Sequence, residues 1–187
     1  AGGIKTGVTN GGSRLSTLVL NAGTRFDLNN LNTTWGGLAG SGDVFSALGT
    51  PTLNVGFNNA DTTFAGRFMR FNDAAYGLIN KIGSGKLTLT ADQPSTGSFG
   101  AISVSGGTLD LGTTTGLANT VTLTGGTLTG GELAADKLVP VAGTVATKLT
   151  GSGKLTKTAA GIVTLSGSND FSGGADISGG RIIAGSG

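Results

Sequence analysis

The chain has 187 residues, 37 of them glycine and only 3 proline, with 12 basic and 10 acidic side chains and a formal charge of +2. That length suits one domain or one stretch of a repeat array. So much glycine with so little proline excludes collagen and polyproline linkers, and so small an imbalance among so few charges is no basic patch for nucleic acid. Cysteine and histidine are both absent, which removes disulfides, thiolate metal sites, the commonest metal ligand and the usual general base together.

Hydrophobic residues make up 37% of the chain and alternate with Thr and Ser, the pattern of strands that bury one face. No apolar run reaches the roughly 18 residues of a membrane-spanning helix, so no direct membrane insertion is expected. Ala1-Gly2-Gly3-Ile4-Lys5 is not a signal peptide, and Gly185-Ser186-Gly187 opens a repeat elsewhere, so both ends read as cuts within a longer repeat protein. Residues 1 to about 80 hold eight of the ten aromatics and are expected to form longer, irregular coils with side loops. Ala74-Ala75-Tyr76-Gly77-Leu78-Ile79 is too short to stand as a helix and is read as a projecting loop or single turn.

Residues 81–187 are more regular. Gly83-Ser84-Gly85-Lys86-Leu87-Thr88 returns as Gly151-Ser152-Gly153-Lys154-Leu155-Thr156. A strand, two glycines and a strand occur at Ile102–Leu111, at Val121–Leu128 and at Asp176–Ile183. Glu132-Leu133-Ala134-Ala135-Asp136-Lys137 is again read as a loop or turn. A spacing of about 20 residues with period-2 alternation indicates an all-β fold, a right-handed parallel β-helix of roughly eight or nine coils. No Pro- or Ser-rich linker divides it, so residues 1–187 read as one continuous solenoid.

Residues 151–183 resemble the passenger-associated repeat of bacterial autotransporters. The likeness rests on Lys157, Leu165, Gly167, Asn169, Phe171 and Gly173, followed by a double-glycine strand. Residues 82–112 are a weaker copy, with Gln93 at the place of Asn169, Pro94 at that of Asp170 and Ser95 at that of the aromatic. The resemblance implies a secreted or surface-displayed β-helix rod of a Gram-negative bacterium, serving adhesion, biofilm or matrix structure. It also implies partners among host or bacterial surface glycans and proteins, or further copies joined end to end or side by side.

Sites of chemistry are scarce. The two Gly-Ser-Gly-Lys segments lack the first glycine and the Ser/Thr of a phosphate loop. No tandem Gly-Gly-x-Gly-x-Asp nonapeptide offers calcium ligands, and no Gly-x-Ser-x-Gly elbow presents a nucleophile. No metal and no cofactor is expected, and no catalytic residue is assigned. A polysaccharide-active β-helix enzyme is the rival reading, and it requires acids gathered in one groove. The ten are Asp27, Asp43, Asp61, Asp73, Asp92, Asp110, Glu132, Asp136, Asp170 and Asp176, spread singly, with the loops near Asp61, Asp73 or Asp136 the expected place. The cluster Arg67-Phe68-Met69-Arg70-Phe71 mixes cations and rings in a way that suits a glycan or protein contact. Alternation places Phe68 and Phe71 on opposite faces, and one of them is expected in the core. Trp35 is the remaining binding candidate, with core packing or coil capping the expected alternative.

Overall fold

The computed structural model describes residues 3–5, 7, 11–71, 76–93 and 99–185. Every strand pairing among them is parallel, and the chain winds a β-solenoid of about eight turns, with no α-helix among the described residues. Three sheets form its faces. A short one holds four strands, from Gly3–Lys5 to Phe68–Arg70. Two long ones hold nine each, and run along the rod to end at Ala175–Ile177 and Arg181–Ala184.

The core follows from stacking like residues coil upon coil. In one long sheet Leu87, Leu109, Leu128 and Val145 lie in register, and all four are buried. In the other, Leu53, Ile79, Ile102, Val121, Leu138 and Leu155 form a second buried column. Phe64, Phe68 and Phe99 fill the wider first coils, with ring centroids 5.2 and 5.5 Å apart. Outward positions carry hydroxyls, as in the row Thr108, Thr127, Thr144 and Thr164.

Side-chain oxygens tie one coil to the next where strands stop. Thr52 N–H donates to Asn32 Oδ1 at 2.8 Å, Ser84 N–H to Asn59 Oδ1 at 2.8 Å, and Lys86 N–H to Asp61 Oδ1 at 2.7 Å. Each bond replaces a rung that the ladder lacks at a corner, where an unpaired backbone donor would be costly. The short sheet ends in the same way. Phe68 N–H donates to Gln93 Oε1 at 2.9 Å, and Gln93 Nε2 donates to the carbonyls of Ala91 and Gly66. A buried glutamine thus stands in for a fifth strand.

Two expectations are corrected. Glu132–Pro140 is a nine-residue strand, not a projecting turn. Leu133 and Ala135 point inward, and pairing along its neighbour Thr115–Leu123 overrides the helical leaning of Glu, Leu and Ala. Likewise Tyr76–Lys81 is a sheet strand, while residues 74 and 75 lie outside the described residues. The verbatim recurrence at residues 83–88 and 151–156 is also not the structural repeat. Lys86–Leu89 belongs to one long sheet and Lys154–Lys157 to the other. The equivalent corners are those of Lys81 and Lys157, each closing a strand of the same sheet.

Candidate functional site

The fold disperses the five binding candidates. Phe68 is fully buried. Arg67 is exposed, and its N–H donates to Asp43 Oδ1 at 3.2 Å. Arg70 is half-buried opposite the buried Ser46. Phe71 stands out at 63% exposure. Trp35 packs edge-on against Phe26, with centroids 5.8 Å apart, at the margin of the core. One neighbour was not singled out in the sequence: Arg25 stacks over Phe45 at 4.4 Å on the outer face of the short sheet, beside Met69. The pair comes together only through strand register, and no motif announces it.

Most acids serve the fold. Asp43 and Asp61 bond backbone N–H groups one coil on, as does Asp92, which accepts from Thr115 N–H at 3.0 Å. Asp27 accepts from Asn29 N–H at 2.8 Å and from Ala47 N–H at 3.4 Å. Lys86 faces Asp110 at 3.8 Å and Lys154 faces Asp176. Asp73 lies outside the described residues. The exception is Lys148, which meets Glu132 at 3.0 Å and Asp170 at 3.7 Å. The two carboxylates therefore stand closer together than the roughly 9.5 Å upper limit of paired-carboxylate hydrolysis. The Glu132 hydrogen bond, followed by the charges of Asp170 and Glu132, raises the Lys148 pKa. No group of three or more metal-ligating side chains occurs among the described residues.

Beside this ladder runs a groove. Ala118 pairs with Ala135 and Thr120 with Lys137, while Asn119 and Asp136 between them are skipped. In the next coil Gly151-Ser152-Gly153 interrupts the strand at the same place. Glycine is required at 153, where a Cβ would collide with the Ala135 carbonyl. The repeated interruption bends the sheet and opens two concavities of about 190 and 210 Å³ on its outer side. They meet at Leu117 and Ala134, which share a register column with Thr150 and form the floor. Thr115 and Glu132 line one rim, and Asn119, Asp136 and Ser152 the other. Among the described residues, the only charged ones in the lining are the two acids. The Asp136 carboxylate has no hydrogen bond or ion pair to another described residue.

Residues 79–111 and 155–184 each match the family model of the passenger-associated-transport-repeat. Over these two stretches, about a third of its length, the chain is similar to passenger-associated-transport-repeats. With the matches set side by side from Ile79 and Leu155, Lys81 falls opposite Lys157 and Gln93 opposite Asn169, and the two lysines each end a strand of the same sheet. The two amides act alike: Leu149 N–H donates to Asn169 Oδ1 at 2.9 Å, as Phe68 N–H does to Gln93 Oε1. The repeat defines a structural family, with no known enzyme activity attached to it. No curated protein and no solved structure matches the chain.

Proposed function

We propose that this chain forms the shaft of a secreted or surface-displayed passenger of a Gram-negative bacterium and serves adhesion or the building of an extracellular matrix. The observation that supports it best is the stacking of two stretches similar to passenger-associated-transport-repeats into one solenoid with a continuous core. Such a rod holds a polar surface away from a cell without disulfides, because each coil buries its apolar face on its neighbours. The test is to express the full gene product in a Gram-negative host and treat intact cells with antibody and protease. Labelling and digestion before lysis are expected. Detection only after lysis would overturn the reading.

A second reading, polysaccharide cleavage, is favoured by Glu132 and Asp170 alone. Their common tie to Lys148 accounts for the pair as an ion ladder, and on that ground we place the chain outside the enzymes. New reducing ends from an oligosaccharide, lost in the variant E132Q/D170N, would reverse that placement.

A further inference from the structure

We propose that the groove over Leu117, Ala134 and Thr150 is a binding site for a linear polysaccharide free of acidic groups, lying along the rod axis. This deepens the reading of the chain as a displayed adhesive shaft, and rests on it only for the ligand's extracellular origin.

Three observations carry it. The groove is built by the fold, since consecutive coils break their strand pairing at Asn119 and Asp136 and at the Gly151–Gly153 turn. Its direction is axial: the floor residues stack at about 4.8 Å per coil, and each concavity is lined from successive coils, one by Thr115, Glu132 and Thr150 and the other by Asn119, Asp136 and Ser152. Its lining suits a sugar chain, with an apolar floor beneath rims of hydroxyl, amide and carboxylate groups that both donate and accept. Convergent polar groups around an apolar floor bind rings that carry hydroxyls at their edges and C–H groups on their faces.

Charge narrows the class. Glu132 is paired with Lys148, which it shares with Asp170, whereas Asp136 faces the groove with no cation against it among the described residues. A uronate or sulfate placed there would meet uncompensated negative charge, while a neutral sugar would not and an amino sugar would gain an ion pair.

The test is calorimetric titration of the purified chain with three hexasaccharides. These are cellohexaose, fully deacetylated chitohexaose at a pH that keeps its amines charged, and oligogalacturonate. Saturable binding of the first two is expected, tighter for the amino sugar, with none for the third. A134F, which fills the floor from outside the core, should weaken both by roughly tenfold or more. D136N leaves the floor unchanged, so it keeps the test sound if A134F disturbs the coil. It should weaken the amino sugar about tenfold and leave cellohexaose unaltered. The proposal is overturned if neither acid-free hexamer binds up to millimolar concentration, if oligogalacturonate binds as well as they do, or if both variants bind like the parent. Because the titration uses purified chain, its failure is separate from a failure of surface display.

Discussion

Asn169 and Gln93 each spend an amide oxygen on a backbone N–H of the preceding coil. Removing that acceptor leaves a donor without its partner, at a cost of about 1–3 kcal/mol. N169A should therefore lower the urea-derived stability by about 1–2 kcal/mol, and N169D, which keeps the oxygen, should recover most of it. Q93A should cost more, because Gln93 is buried and also donates to Ala91 and Gly66. Lys81 and Lys157 are the second residue-scale device. Both are buried, and their ammonium groups donate to carbonyls of the next turn, those of Ile82 (2.7 Å), Gly83 and Gly106 for Lys81 and that of Ala159 for Lys157. Burial pushes the Lys81 pKa below the ordinary lysine value of 10.5, against the pull of Asp61. The folded chain then holds this proton less tightly than the unfolded chain does, so the contribution of Lys81 to stability rises as pH climbs from the lowered value to 10.5. Lys148 acts with the opposite sign: its contribution is complete below 10.5 and disappears as pH rises through its raised value. Urea midpoints measured from neutral pH to 10.5 should show the difference between parent and K81M shifting in the parent's favour as pH increases; a constant difference would refute the assignment to Lys81.

Among the elements, most strands were legible, and Tyr76–Lys81 and Glu132–Pro140, both read as loops or turns, were not. Alternation along residues 102–104, 108–111 and 121–123 is enough to place Ile102, Val104, Leu109, Leu111, Val121 and Leu123 inside, and all six are buried. Glu132–Lys137 misled because its residue types favour helix, whereas its neighbour Thr115–Leu123 supplies an edge that only a strand can satisfy. The hexapeptide at 83–88 and 151–156 is no guide to the coil repeat: Gly-Ser-Gly serves whichever corner needs it, so identity of turn residues does not fix identity of corner. The groove left no trace in the sequence, since Leu117, Ala134 and Thr150 meet only through register and no motif records a skipped pairing. The stacked columns set the cost of damage. L128A, in the buried row between Leu109 and Val145, should lose about 2–5 kcal/mol in a urea titration. T127A, one position away on the outer face, should change stability by no more than about 0.5 kcal/mol.

For the whole molecule, the correspondence of Lys81 with Lys157 makes a deletion experiment decisive. Excising residues 79–154 joins the chain so that Leu155 takes the place of Ile79 and Asn169 that of Gln93. The shortened solenoid should fold with a β-type far-UV spectrum and a cooperative melt. Excising residues 83–150, which looks seamless by the hexapeptide, sends Lys154–Lys157 into the wrong sheet and carries Lys157 to the buried place of Leu89, and it should not fold. A solenoid of this kind is also a mechanical object. Its strands run across the long axis and its inter-coil hydrogen bonds, the Asn169 and Gln93 rungs included, run along it. Tension applied between the two ends therefore loads those bonds a few at a time, like a zip fastener, and not all together as in a sheared sheet. Pulled in a force microscope, the rod should yield as a train of weak events, each releasing roughly 65–70 Å of chain for a coil of about 20 residues, and should recoil onto the remaining coils when slackened. Such a shaft would absorb the tug of flowing liquid by paying out coils while its far end stays attached.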